Sequence, residues 1–132
     1  MAKPTLTIII PAYQVCDTLA KCVNSVASQD FQSWQAIIVD DGSPDNTPQI
    51  ADFLASQDSR IITVHKANGG LSDARNYALD ILFGKTTIDI SLPLGITDYV
   101  TFIDSDDYIL PGTLFPLMED LANHPEYDIL EY

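Results

Sequence analysis

Basic residues are scarce in this chain of 132 residues. Six Lys and Arg stand against nineteen Asp and Glu, for a formal charge of −13. So acidic a surface repels phosphate backbones and anionic bilayers, which argues against a nucleic-acid partner and against charge-driven membrane attachment. A phosphorylated ligand stays compatible if a divalent cation stands between it and the carboxylates. Cysteine is scarce too: Cys16 and Cys22 form no Cys-x-x-Cys pair and have no His at metal spacing. Neither a disulfide framework nor a thiolate metal site is expected, and free thiols suit a reducing compartment. No apolar run approaches the roughly 20 residues of a membrane span, and "TLTIII" before Pro11 is too short for a secretory leader. The expectation is a cytoplasmic protein without a transmembrane segment. GxGxxG and GxxxxGK[ST] are both missing, so dinucleotide and P-loop sites are not expected.

What is present is a globular composition, 46% hydrophobic and 19% charged, in which short β-rich runs alternate with helical periodicity. Leu6 to Ile10 is a continuous apolar run ended by Pro11, as in a strand covered on both faces. Trp34 to Asp40, Arg60 to His65 and Tyr99 to Asp104 read as three further strands, and "YDILEY" at the end as one more. Between them lie helical stripes: Leu19, Cys22, Val23 and Val26 after an Asp17 cap; Ile50, Phe53 and Leu54 after a Thr47 cap with Pro48 at the first helical position. Ser72 is placed to cap a helix carrying Ala74, Ala78, Ile81 and Leu82, and Pro111-Gly112 precedes one with Leu114, Leu117, Met118 and Leu121. Residues 84–98 show no period and read as a loop or small excursion. Phe31, Phe53 and Phe102 are read as core, and His65 and His124 as structural. The alternation predicts an α/β fold, a mostly parallel central sheet with helices on both faces.

In such a sheet ligands sit beyond the carboxyl ends of the strands. Polar clusters fall there: "PAYQ", "DDGS", "KANGG" and "DSDD" follow the four strands in turn. Asp104 and Asp106, at i and i+2 after an apolar strand, suit a hard cation such as Mg²⁺ or Mn²⁺ shared with substrate phosphates; an acidic turn is the plainer alternative. Asp40-Asp41-Gly42 offers either a carboxylate for a base N–H or a metal, or an Asp-Gly turn. "NGGLSDARN" opens a helix with two glycines, which admits an anion near the helix N-terminus, and its Arg75 offers a planar fork to a carboxylate or diphosphate. A capped helix with a surface Arg explains the same residues. Tyr13 could stack on a flat base or pack at the rim.

Taken in order, "TIIIPAYQ", "SVASQDFQSWQAIIVDDGSPDNT", "NGGLSDARNYAL" and "YVTFIDSDDYILPGTL" resemble the family 2 glycosyltransferases of the GT-A fold. The resemblance covers nearly the whole chain except residues 84–98, which look inserted. It implies a UDP-sugar donor and a Mn²⁺ or Mg²⁺ cofactor. It implies that Tyr13 stacks on uracil with Pro11 and Ala12 lending backbone, that Asp41 takes the uracil N–H, and that Asp40 supports the loop. Gly70 and Ala74 would line the pocket, Arg75 would lie near the nucleotide and the acidic groups, and Asp104 would sit nearer the ribose. Asp106 would be the more direct metal ligand.

The same family carries its acceptor site and a catalytic Asp in a later half, and this chain ends at Tyr132. The expectation is therefore a single nucleotide-sugar-binding domain over 1–132, the N-terminal half of a longer enzyme, which binds donor and metal but transfers poorly by itself. The alternative is a non-catalytic nucleotide-sugar-binding module that works with a partner chain. A saccharide, a lipid carrier and a protein all remain open as acceptor, and exposed apolar sheet surface would favour a homodimer. Sugar nucleotidyltransferases need a Gly- and Arg-rich loop after the first strand, which "PAYQ" is not. A phosphoacceptor receiver domain needs a Lys after its last strand, and none is there.

Overall fold

The computed structural model describes residues 4–86 and 90–128. In chain order these form β1 (Leu6–Ala12), α1 (Leu19–Ala27), β2 (Trp34–Asp41), α2 (Thr47–Gln57), β3 (Ile61–Lys66), α3 (Leu71–Leu82), β4 (Tyr99–Phe102) and α4 (Leu114–Asn123). The four strands make one sheet in the order β3-β2-β1-β4, and every neighbouring pair is parallel. The chain therefore builds outward from β1 to β3, then crosses back to lay β4 on the other side of β1. That reversal opens a crevice between the carboxyl ends of β1 and β4, where open α/β sheets bind ligands.

The apolar runs explain the layering. Every residue of β1 and β2 is buried, as strands covered on both faces require. Ile8, Ile10, Ala36 and Ile38 pack with Leu19, Cys22, Val23 and Val26 of α1, Ala51 and Leu54 of α2, and Leu114, Met118 and Leu121 of α4. Ile9, Ile37, Val39 and Val64 point the other way, onto Ala74, Ala78 and Ile81 of α3. Helices thus cover both faces, three on one and one on the other.

Pro11 does not end the first strand. It lies within β1, paired with Val39. Leu6 donates to Ser33 on the β2 side, whereas the Ile9 carbonyl accepts from Ile103 on the β4 side. Alternation then turns the Pro11 nitrogen toward β4, beyond the last paired residues, Ile9 and Phe102. No ladder bond is lost there, so the usual objection to Pro in a central strand does not apply.

The expected caps shift as well. Asp17 stays exposed and does not cap α1; the Val15 carbonyl accepts from both Thr18 and Leu19, so backbone fills that role. Thr47 is the first residue of α2, one position later than a cap. Its fully buried hydroxyl accepts instead from the Val15 amide at 3.0 Å, tying the α1 entry to α2. Ser72 lies in the first turn of α3, because Gly70 makes the boundary at φ 96°, a conformation that disfavours any side chain. Phe31 is core, but Phe53 is 62% exposed and Phe102 40% exposed. Ala51 and Leu54, rather than Phe53, carry the buried face of α2. The expected last strand, "YDILEY", falls mostly outside the described residues.

Residues 84–86 and 90–98 form neither helix nor strand. Buried Gln35 anchors the second part: its amide donates to the Gly95 carbonyl at 2.7 Å and to Thr7 Oγ1 at 3.0 Å, and its Oε1 accepts from the Leu94 amide at 2.8 Å. Ile90 and Leu92 then pack on the α3 side of the sheet. Replacing Gln35 by Leu strands these partners, and a buried unsatisfied polar group costs about 1–3 kcal/mol. The expected outcome for Gln35→Leu is a loss of that size in denaturant unfolding, with faster proteolysis within residues 90–98.

Candidate functional site

An open cleft of about 500 Å³ lies at the predicted sheet edge. Pro11, Ala12 and Tyr13 reach it from the end of β1, Asp41 from the end of β2, Gly70 from the loop before α3, and Asp104 and Asp106 from the turn after β4. Of the expected site residues only Arg75 does not line it, and Arg75 touches it indirectly: Nη2 donates to Asp104 Oδ1 at 3.2 Å. Asn68, Leu71, Ala74, Val15 and Ser105 complete the wall.

Asp41 is the most constrained of these. It is 3% exposed, and its Oδ1 accepts from Lys66 Nζ at 2.7 Å and from the Gly69 amide at 3.0 Å. Oδ2 accepts from the Gly70 amide at 2.9 Å, with Asn68 Nδ2 at 3.5 Å. Burial alone would push this carboxyl up; the Lys66 ammonium and the two glycine amides outweigh it and hold the group below the usual carboxylate range. With about four acceptor positions on a carboxylate, Oδ1 is filled, and the second position on Oδ2 is met only by the long Asn68 contact, which a closer donor can displace. The β2 and β3 loops meet so closely that a Cβ on Gly42, itself at φ 70°, would stand 2.7 Å from the Asn68 nitrogen. That contact explains the Asp-Gly pair better than turn chemistry alone.

Asp40 points away from the cleft. Its Oδ1 accepts from the Ser43 amide at 3.1 Å and its Oδ2 meets His65 Nδ1 at 3.0 Å, while His65 Nε2 meets Asp52 Oδ1 at 2.8 Å. The hydrogen bond to Asp40 raises the His65 pKa above 6.5; desolvation opposes it, and Asp52 adds to it. His65 is structural in the sense expected, and it supports the loop through Asp40.

On the β4 side the Asp107 amide donates to the Asp104 carbonyl at 2.9 Å, closing a turn. One carboxylate oxygen each from Asp104, Asp106 and Asp107 then lie within 4.8 Å of one another, all exposed. Three hard oxygens in that span, open to solvent, fit a Mg²⁺ or Mn²⁺ that keeps waters and shares ligand phosphates. Beneath them the Cys22 thiol donates to the Asp104 carbonyl at 3.6 Å. Burial, and then the three carboxylates, push that thiol up to about 12, so it stays protonated. The Arg75 guanidinium lies 5.4 Å from the Phe102 ring, and its Nε is buried without a partner among the described residues.

Three contributors were not anticipated. Asp107 stood in the quoted motif, but an i, i+2 spacing favours Asp104 and Asp106 until the turn geometry is known. Asn68 stood in the glycine loop without an assigned role. Lys66 gave a signal in hindsight, as one of six basic residues and immediately before the glycine loop.

A parallel sheet with a switch-point cleft and an acidic turn after β4 is the arrangement of the GT-A fold, and solved glycosyltransferase structures share it. S. aureus TarS, residues 1–349 in complex with UDP-GlcNAc, superposes with a TM-score of 0.74 at 28% identity, over 92% of this chain and 32% of that one. The mannosyltransferase PcManGT from Pyrobaculum calidifontis, in complex with GDP-Man and Mn²⁺, shares the fold at a TM-score of 0.65 and 21% identity. Residues 7–130 match Glycosyl transferase family 2, and the chain belongs to that family. The uncharacterized glycosyltransferase EpsJ of Bacillus subtilis (strain 168) is 33% identical over 127 residues, which is 96% of this chain and 33% of EpsJ. The chain thus spans about a third of the length of EpsJ and of YibD of Escherichia coli (strain K12). Among the described residues no helix is long and apolar enough to cross a membrane.

The raised His65 pKa sets a pH dependence. A group whose pKa rises on folding adds stability that is full below its unfolded value, near 6.5, and that fades as pH climbs through the folded value. Wild type should therefore exceed His65→Gln in thermal midpoint by more at pH 6 than at pH 9. A gap that is constant across this range would show that protonation of His65 contributes nothing.

Proposed function

We propose that these residues form the donor-binding part of a UDP-sugar-dependent glycosyltransferase. The observation that carries the reading is the convergence of Tyr13, Asp41, Gly70 and the Asp104–Asp107 turn on one cleft, in a fold shared with a TarS complex holding UDP-GlcNAc. Tyr13, 45% exposed at the cleft mouth, offers its ring to the uracil, with Pro11 and Ala12 as the adjoining wall. Asp41 accepts the base N–H on Oδ2, in place of the long Asn68 contact. Arg75 holds Asp104 in place for the ribose and supplies positive charge near the diphosphate.

Asp106 and Asp107, with Asp104 beside them, are the residues that would hold Mn²⁺ or Mg²⁺. The cation would supply charge that stabilises the nucleoside diphosphate as a leaving group. Without it, three exposed carboxylates on a chain of charge −13 repel the phosphates. Transfer also needs an acceptor site and a base for the acceptor's proton. We assign both to parts of such enzymes that these 132 residues do not span, and we place the working enzyme in the cytoplasm.

Thermal unfolding tests the reading. A ligand at a hundred times its Kd adds about 2.7 kcal/mol to stability, or several degrees for a domain of this size. UDP with Mn²⁺ should give that shift, and UDP alone much less; no shift with both present would overturn donor binding. Asp106→Asn should remove the Mn²⁺-dependent part of UDP affinity in calorimetry and leave the metal-free melting point unchanged or higher, since like charges repel. Unchanged affinity would take Asp106 out of the metal site.

A further inference from the structure

Tyr13 precedes a residue in a costly conformation. Gln14 has φ 53°, the one non-glycine residue in the left-handed region among the described residues. Side chains disfavour that region, so neighbouring structure must hold it. The holding contacts form a chain that runs away from the cleft. The Gln14 amide donates to Ser43 Oγ at 3.1 Å, and the Ser43 amide donates to Asp40 Oδ1 at 3.1 Å. The other oxygen of Asp40 meets His65 Nδ1 at 3.0 Å, and the far side of the imidazole is pinned by Asp52 Oδ1 at 2.8 Å. Asp52 in turn accepts from Thr63 Oγ1 at 2.8 Å, which fixes it between α2 and β3.

Asp40 is buried, and a carboxylate out of water needs both oxygens engaged. His65 supplies the partner for Oδ2, and with that oxygen fixed, Oδ1 is aimed at the Ser43 amide. His65 itself does not line the cleft. We infer that His65 is a positioning residue for the nucleotide-stacking loop: through Asp40 and Ser43 it holds Gln14 in the left-handed region and so sets how Tyr13 faces the cleft. This rests on the donor reading above, in which Tyr13 meets the base. The charged groups against the imidazole are Asp40 from β2 and Asp52 from α2.

Two isosteric substitutions separate the halves of the imidazole. His65→Asn puts an amide nitrogen near the place of Nδ1 and keeps the contact with Asp40. His65→Gln puts one near the place of Nε2 and reaches Asp52 instead. Residue-resolved amide exchange and calorimetry with UDP and Mn²⁺, and with inorganic pyrophosphate and Mn²⁺, give the readouts. In His65→Gln the Ser43 and Gln14 amides should exchange about tenfold faster, the equivalent of about one hydrogen bond lost. UDP affinity should fall severalfold with pyrophosphate affinity unchanged, a split that general destabilisation would not produce. His65→Asn should stay near wild type in all three. Unchanged exchange in His65→Gln overturns the inference whatever UDP does, as does faster exchange with unchanged UDP affinity, and so does His65→Asn behaving like His65→Gln. Tyr13→Ala, measured alongside, separates the two readings: if it leaves UDP affinity unchanged, the base-stacking reading fails and the inference falls with it.

Discussion

The reversal of strand order at β1 governs the rest of this molecule. With β2 on one side and β4 on the other, all parallel, every strand delivers its carboxyl end to the same edge. The loop after β1 therefore faces the turn after β4 across a gap that no crossover fills. Among the described residues, Tyr13, Asp41, Gly70 and the Asp104–Asp106 turn gather around that edge, because backbone leaving a buried strand must find its hydrogen bonds in loops or in a ligand.

Charge is the second constraint. A chain with nineteen acidic and six basic residues cannot neutralise its carboxylates one for one, and it treats them in two ways. Asp41 and Asp40, at the end of β2, are buried with both oxygens of each engaged, the first by Lys66 and two glycine amides, the second by His65 and Ser43. These two act as posts that hold loops. Asp104, Asp106 and Asp107 stay exposed, with Arg75 touching one of them. Solvent makes that arrangement tolerable in the free chain, and a divalent cation with a diphosphate would complete it. Two of the six basic residues, Lys66 and Arg75, are spent at this edge, each on a carboxylate of the cleft.

Much of this was legible from residue order. Four apolar runs, each ending in a polar cluster, predicted the parallel sheet and the edge where the cleft lies, and the nine residues expected at the nucleotide and the metal all fall in or against that cleft. The helical stripes of α1 and α3 appeared residue for residue, since a buried face repeats every 3.6 residues whatever it packs on. The failures were local and share a cause. Pro11 continued its strand because β4 stops short beside it; Thr47 gave up a cap for a contact with Val15; Phe53 lost the core to Ala51. Each depended on a neighbour distant in sequence.

The sequence by itself determined the class of fold, the family and the residues that gather at one cleft, because hydrophobic period and motif order are written along the chain. Only the tertiary structure decided how those residues are used. Asp41 spends most of its hydrogen-bonding capacity on the next loop, Asp107 joins the acidic pair through a turn, Gln35 fastens a segment that has no pattern of its own, and His65 reaches Tyr13 through three intervening residues. A carboxylate's partners are set by which loops approach within about 3 Å, and parallel strands joined by crossovers bring together loops far apart in the chain.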